Sequence, residues 1–350
     1  MKEYSTYVGM DCGDRQHRVV VLDKQGKEVE RRTLRNRRNE VVEGLEEFGS
    51  SLVAIEVGTH SRWLQRVLEE SGHTVIVANA RKLPAISRSA EKTDWRDAEM
   101  LARLVRFDPK LLFPIEHRGE QAQVHLGVLK ARDAVVRVRT SLINAVRGLL
   151  KSQGYRAPSC SADAFAKRMG PAIPEELEPA LEGLVKTIGE LTRRIREYDE
   201  KLTKLAEHYP EVELLRQVPG VGPVTALAYV LTIEDPGRFQ KSRKVGAYVG
   251  LTPRKNQSGE VDKELRITKH GDEYLRRLLV SAAQYILNPL NTHDSALRQF
   301  GLRLAQGGKR AKKRAVVAVA RKLAVLLHRL WVTGEVYEPL RAVDYKEEAA

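Results

Sequence analysis

The order in which short β-rich stretches alternate with helical ones over the first hundred residues restricts this chain more than any other feature, because element order limits which sheets can form. Tyr7 to Met10, His17 to Leu22 and Val29 to Leu34 read as three consecutive strands, with Asp23-Lys24-Gln25-Gly26 as the second turn. A helix is expected around Glu40 to Phe48. It is followed by a buried strand Leu52 to Val57, a helix Ser61 to Ser71, a strand Thr74 to Ala78 and a helix from about Asp94 to Arg106.

Three strands, helix, strand, helix, strand, helix is the ribonuclease-H-like (RuvC-like) order. Pro109 and Pro114 close it, which sets a first, α/β domain at residues 1–110. Beyond it the spacing changes. Val124, Val128, Ala131, Val135, Val138, Leu142, Ala145 and Leu149 lie alternately four and three apart. So do Leu177, Leu181, Leu184, Ile188, Leu191, Ile195, Tyr198, Leu202, Leu205 and Tyr209. Such spacing keeps an apolar seam on one side of an underwound helix, so a coiled coil is expected over residues 118–210, within one chain or between two. Pro158, Gly170, Pro171 and Pro174 break the two helices apart, and residues 152–175 read as a loop. A mainly helical domain at 211–340 opens with the glycine-rich turn Val218-Pro219-Gly220-Val221-Gly222-Pro223. It continues through a polar loop from Pro253 to His270 and ends in helices near 272–287, 294–305 and 310–333. In a helix-hairpin-helix module such a turn exposes backbone N–H groups, and helix N-termini favour a phosphate. Gly220 and Gly222 are therefore candidate nucleic-acid contacts, with a plain helix-connecting turn as the alternative.

Charge narrows the partner. The 350 residues are 42% hydrophobic and 30% charged, ordinary for a chain that buries real cores, but the net charge is +14. Such an excess fits a polyanion, since binding DNA or RNA releases counterions from phosphates. Arg31, Arg32, Arg35, Arg37 and Arg38 form one run. Residues 301–330 hold Arg303, Lys309, Arg310, Lys312, Lys313, Arg314, Arg321, Lys322 and Arg329 with no acid. No apolar run reaches the ~18 residues of a membrane helix, and Met1-Lys2-Glu3-Tyr4 lacks a signal-peptide core. A cytoplasmic, nucleoid-associated protein without a membrane partner is expected. Cys12 and Cys160 are too few for a disulfide framework or a zinc site, so any catalytic metal is expected to be bound by oxygen.

The oxygen donors are in view. Asp11 follows an apolar strand, Glu56 ends another, and Asp94 and Asp97 lie three apart at a helix start, on one helix face. Hard cations take carboxylate oxygens, and two ions about 4 Å apart clamp the attacking and leaving oxygens of a phosphodiester. Singly, Asp11 also reads as a strand-end turn residue, Asp94 as a helix N-cap and Asp97 as a partner of the helix dipole. Glu56 is harder to explain that way, because an acid inside Leu-Val-Ala-Ile-Glu-Val is costly to bury without a cation.

Several stretches together resemble the insertion-sequence one-ten family of DEDD transposases, over nearly the whole chain. They are Gly9-Met10-Asp11, Ile55-Glu56-Val57-Gly58-Thr59, Lys92-Thr93-Asp94-Trp95-Arg96-Asp97-Ala98, the Val218 to Pro223 turn, and Gly250-Leu251-Thr252-Pro253-Arg254 leading to Gln257-Ser258-Gly259. The resemblance implies that Asp11, Glu56, Asp94 and Asp97 are a metal-binding tetrad for Mg2+ or Mn2+. It implies that Ser258 is the nucleophile of a C-terminal transposase domain, linking to a DNA 5′ end as phosphoserine. It further implies that a structured RNA encoded by the element guides the choice of donor and target DNA. Two departures stand out: Gly13-Asp14-Arg15 where many relatives have a lysine soon after the first aspartate, and Glu260, an extra negative charge, where many have glycine.

Without the resemblance, Ser258 before Gly259 reads as a turn residue. A serine hydroxyl needs a base or metal and a stabilised pentavalent phosphate. Arg254, Lys255, Lys263, Arg266 and Lys269 offer positive charge, but no base is evident. The carboxylate site of another protomer would supply the activation in a homo-oligomer, dimer or tetramer, held by the heptad seam. Three functions therefore compete. The first is a metal- and serine-dependent recombinase. The second is a junction-resolving, hydrolytic endonuclease in which Ser258 is structural. The third is a non-catalytic nucleic-acid-binding scaffold in which the helix-hairpin-helix and the basic terminal helices do everything. Arg254, Lys255, Arg266, Lys269, Lys309, Arg310, Lys312, Lys313 and Arg314 join Gly220 and Gly222 as expected nucleic-acid contacts in any of the three. The Ser-Gly element favours the first over the second, and Glu56 in an apolar strand weighs against the third.

Overall fold

A computed structural model describes residues 4–79, 82, 93–258 and 261–341, with the backbone alone for 255–258 and 261–264. The chain divides into two compact units, Met1–His117 and Arg118–Ala350.

In the first unit, β1 (Thr6–Cys12), β2 (Gln16–Asp23) and β3 (Glu28–Arg35) form an antiparallel meander. β4 (Leu52–Glu56) and β5 (Thr74–Ala78) add in parallel on the other side of β1, giving the order β3-β2-β1-β4-β5. The Asp23 turn forms as expected: Gly26 N–H donates to Asp23 O at 3.0 Å with Gly26 at φ +81°, a conformation that favours glycine. One sheet face carries Val8, Met10, Val19, Val21, Val53 and Ile55 and packs on α1 (Arg38–Glu46) and α2 (Ser61–Glu70) through Val41, Leu45, Leu64, Val67 and Leu68. The other face carries Val20, Leu22, Leu52, Ala54 and Ala78 and packs on α3 (Asp94–Phe107) through Ala98, Leu101, Ala102 and Val105. This α/β layering has helices on both sides of a mixed sheet, as the ribonuclease-H-like order predicts.

The second unit is built on two long helices, α4 (Glu120–Ser152) and α6 (Glu178–Ala206), that run back along one another. Arg132 donates to Asp199 at 2.5 Å, and buried Arg139 bonds Thr192 at 3.3 Å and pairs with Asp163. The expected seam holds in part on α6, where Leu181, Ile188, Ile195 and Leu202 are buried, but Val185 and Thr192 are the other buried positions. On α4 the seam is corrected. Ala122, Leu126, Leu129, Arg139, Ile143, Val146 and Leu150 face inward, whereas Val124, Val138 and Leu149 of the expected seam are 61%, 50% and 42% exposed. Helix α4 carries apolar residues in two columns, and spacing alone does not say which one meets α6. Residues 152–175 are not simply a loop: α5 (Phe165–Met169) forms there and buries Phe165 and Met169 against Ile143, Val146 and Leu181.

The wide end of this unit encloses α8 (Pro223–Ile233), whose residues from Thr225 to Ile233 are all buried, as expected for a helix apolar on every side. Around it pack α7 (Glu211–Arg216), α9 (Arg243–Tyr248), α10 (Glu273–Ile286), α11 (Ala296–Ala305) and α12 (Lys309–Thr333). Tyr229 donates to Ala324 O at 2.7 Å, and the Nε2–H of buried His328 donates to Pro236 O at 2.9 Å. Among the described residues no helix is long and apolar enough to cross a membrane.

Candidate functional site

Side-chain alternation along β1 decides where Asp11 lies. Val8 and Met10 enter the core beneath α1 and α2, so Gly9 and Asp11 belong to the face covered by α3. The register that pairs Gly9 with Ala54 and Met10 with Ile55 carries Asp11 and Glu56 to the next rung, at the C-terminal ends of adjacent parallel strands. Helix α3 crosses β1 at Gly9, where a Cβ would overlap the Ala98 carbonyl. Its far end lies by the Asp23 turn, with Arg106 Nε donating to Lys24 O at 3.1 Å. The first turn of α3, with Asp94 and Asp97, therefore falls at the strand ends that carry Asp11 and Glu56. Asp97 is 5% exposed, Asp11 and Glu56 are half-buried, and Asp94 is exposed. Thr93, not Asp94, caps the helix: its hydroxyl accepts from Arg96 N–H at 3.3 Å.

Carboxylate oxygens suit Mg2+ or Mn2+. Yet among the described residues no group of three or more His, Cys, Asp or Glu stands close enough to hold one ion. The fold brings the four acids to one end of one face without drawing them into a coordination shell. Their charge is felt nearby. Burial, then the Asp11 carboxylate, pushes the Cys12 thiol up to about 12, which favours its neutral form. A polar cluster at His60 was not foreseen from the sequence. Trp63 Nε1 donates to His60 Nδ1 at 3.3 Å, leaving His60 Nε2–H to donate to Asp14 at 3.1 Å. Buried His17 is held below the ordinary histidine value by burial and then by His60. His60 and Trp63, three apart at the start of α2, were the available signal.

The stretch Pro253 to His270, expected as a loop, contains a hairpin of β6 (Pro253–Ser258) and β7 (Val261–Ile267). Ser258 is the last residue of β6, opposite Val261. Gly259 and Glu260 lie outside the described residues, as do the side chains of Ser258, Lys255 and Lys263. Glycine at the first position of a two-residue connection was the missed signal, hidden because the flanking residues are polar rather than β-branched. Arg254, Arg266 and Lys269 are exposed.

Two further features face solvent. Between α7 and α8, Gly220 turns the chain at φ +91°, half-exposed, and Gly222 is exposed just before Pro223. The amides of Val224 and Thr225 follow in the first turn of α8, where a helix has no internal acceptors for them. At the start of α12, Lys309, Arg310, Lys312, Lys313 and Arg314 are all exposed, while Ala311 and Ala315 seat the helix on the core. Five cations at a helix N-terminus, with no acid in the first turn, oppose the helix dipole. That arrangement is suited to an external anion.

Comparison with known proteins places the acids, the glycine turn and the Ser258 hairpin within two family matches. A DEDD transposase model of the IS110 group matches residues 8–154, and the model described as Transposase IS116/IS110/IS902 family matches residues 212–296. The protein y4pF/y4sB of Sinorhizobium fredii, described as a transposase, is 32% identical over 318 residues, covering 88% of this chain and 80% of its own. The chain belongs to the IS110 family of insertion-sequence transposases. Other relatives of this transposase include the transposase of insertion sequence element IS1111A from Coxiella burnetii, 27% identical across 94% of this chain and 90% of its own. A pilin gene-inverting protein of Moraxella lacunata is 31% identical over 137 residues, 38% of this chain and 41% of its own.

This family cuts and rejoins DNA, so the transposase is a recombination enzyme whose partner is DNA. DEDD transposase domains use divalent metal ions as a class. The first family match contains Asp11, Glu56, Asp94 and Asp97, and the second contains Ser258 and the Gly220 turn.

Proposed function

We propose that the transposase breaks and rejoins DNA with two sets of groups. Asp11, Glu56, Asp94 and Asp97 hold Mg2+ or Mn2+, and the hydroxyl of Ser258 attacks the phosphodiester. The observation that carries this reading is the meeting of Asp11, Glu56 and the first turn of α3 at one end of one sheet face. A bound divalent ion supplies positive charge for the phosphate oxygens during transfer.

Ser258 Oγ bonds to phosphorus, the bond from phosphorus to the DNA 3′ oxygen breaks, and the hydroxyl proton ends on that oxygen. The product is a phosphoserine joined to a DNA 5′ end. A 3′ hydroxyl from the exchanged strand reverses the step, so no high-energy cofactor is consumed. Arg254, Lys255, Arg266 and Lys269 stabilise the charge of the pentavalent phosphate. Gly220, Gly222 and the cations Lys309, Arg310, Lys312, Lys313 and Arg314 hold the nucleic-acid backbone as a helix-hairpin-helix and a basic helix start. An RNA encoded by the element selects donor and target DNA. The transposase acts as a homo-oligomer, a reading supported by the exposed column Val124, Val138 and Leu149, which α6 leaves uncovered and a second copy would bury.

Asp11→Ala and Asp97→Ala test the tetrad. Each is expected to abolish strand cleavage at saturating Mg2+ while DNA affinity stays within about twofold, because basic surface and not the tetrad holds the phosphates. Undiminished cleavage by either variant removes that residue from the site.

A further inference from the structure

The hairpin that carries Ser258 is joined to the rest of the second unit by an unusual base. Two segments converge there: Tyr248 to Thr252, leading in, and Thr268 to Gly271, leading out. Below the strands their pairing continues, with Thr268 N–H donating to Thr252 O at 2.9 Å and Lys269 N–H to Gly250 O at 3.1 Å. Three residues in this short stretch take left-handed conformations, Gly250 at φ +72°, Lys269 at φ +56° and Gly271 at φ +80°. A Cβ on Gly250 would run into the His270 backbone, and one on Gly271 into the Tyr248 carbonyl. The segments thus approach more closely than side chains permit.

One side chain spans both. Arg276, in the second turn of α10 and 8% exposed, donates from the same Nη1 to Val249 O at 3.1 Å and to His270 O at 3.1 Å. These carbonyls belong to residues just before Gly250 and Gly271, where the chain turns away from any regular ladder, so the guanidinium satisfies acceptors that the backbone does not. Burying a guanidinium is costly unless it is well bonded, and its rigid planar fork fixes direction as an ammonium does not. The exit of the hairpin is anchored to the same helix, since Asp272 caps α10 by accepting from Leu275 N–H at 2.9 Å.

The hairpin is tied to α10 at its base, through Arg276 and, at its exit, Asp272. Its outer residues are Lys255, Asn256 and Gln257 on one strand and Asp262, Lys263 and Glu264 on the other, and a lone two-stranded ribbon is only marginally stable by itself. Ser258 lies eight positions beyond Gly250, at most roughly 26 Å of extended chain, so a tilt of about 5° at the base moves the far end by about 2 Å. A misplacement of about 1 Å at a reacting group costs ~10²-fold in rate.

We propose that Arg276 is a positioning residue for Ser258: by clasping Val249 O and His270 O it sets the angle at which the hairpin presents the serine. This inference rests on the reading of Ser258 as the nucleophile. The test uses the full chain with labelled element-end DNA, the element's RNA transcript and Mg2+. It measures the single-turnover rate of covalent adduct formation at saturating DNA, the DNA affinity, and hydrogen exchange at the Thr268 and Lys269 amides.

Arg276→Met is expected to slow adduct formation ~10²-fold, with affinity within about twofold and faster exchange confined to the hairpin base. Added guanidinium ion should restore part of the rate, a rescue that a general folding defect would not show. Arg276→Lys, which keeps the charge but not the fork, should fall between the two, and it carries the test if the methionine variant does not fold. An adduct formed at the parental rate by Arg276→Met or Arg276→Lys overturns the proposal, as does slowing that merely tracks lost DNA affinity. If the parent itself forms no adduct, it is the Ser258 reading that has failed.

Discussion

Replacing Gly9 with alanine probes how the fold assembles the acidic site. Gly9 lies at the middle of β1, where α3 crosses, and a Cβ there would meet the Ala98 carbonyl, the Ala102 amide and the Ala102 side chain. Two of these are backbone atoms of a helix packed through Leu101 and Val105, so the helix must retreat as a body, by on the order of 1 Å in a close-packed interior. Overpacking of this kind costs about 1–3 kcal/mol. At about 4–8 °C per kcal/mol for a small domain, the first unit should melt measurably earlier and still fold. The same retreat carries Asp94 and Asp97 away from Asp11 and Glu56, and a shift of about 1 Å is worth ~10²-fold in catalysis. Single-turnover cleavage of labelled element-end DNA, with melting and DNA affinity measured beside it, is the assay. Gly148→Ala is the control, because nothing lies within 4 Å of its Cβ in the interior of α4. Gly9→Ala cleaving at the parental rate would refute the claim that α3 seated on Gly9 sets the acidic site.

Two further outcomes follow from packing and titration. Val138→Asp with Leu149→Asp should lower the mass measured by light scattering and leave the melting temperature nearly unchanged, because both positions are already exposed within the chain. Ile143→Ala, buried between α4 and α6, should instead cost about 2–5 kcal/mol of stability; an unchanged mass in the double variant removes the exposed column as a self-association surface. Acidification should destabilise the first unit. His17 and His73 have values lowered chiefly by burial, so their neutral forms favour folding. The unfolded chain takes up protons near pH 6.5, so this stability is fully present above that value and is lost as pH falls below it. His17→Phe should flatten the loss, and an equally steep decline in that variant would exclude His17 as a source.

The first unit was legible because its signals are local. The three early strands, Leu52 to Val57, Thr74 to Ala78 and the helix at Asp94 all announce themselves by β-branched runs, turn residues or periodicity, and each appears within a few residues of its expected ends. The placement of Asp11 and Glu56 on one face followed from alternation once the register of β1 and β4 was known, and register is a tertiary property. The α4 seam failed for a related reason. Two apolar columns on one helix are equivalent in sequence, and only the partner helix chooses between them. The hairpin at Ser258 was hidden because its strands are polar, so the usual hydrophobic alternation is missing. The clasp at its base was legible only as two glycines, Gly250 and Gly271. Nothing in the spacing tied either to Arg276.

The most direct test of the account is to find the atom that holds DNA after the first cut. The purified transposase is incubated with Mg2+, the element's RNA and DNA carrying the element's end, then digested with protease, and the peptides are analysed by mass spectrometry. The account predicts a peptide containing Ser258 bonded through phosphate to the 5′ side of a nucleotide, absent from Ser258→Ala, which should also lose strand cleavage and rejoining. Cleavage at the parental rate by Ser258→Ala, with no nucleotide-bearing peptide from either protein, would contradict it and make water the attacking group.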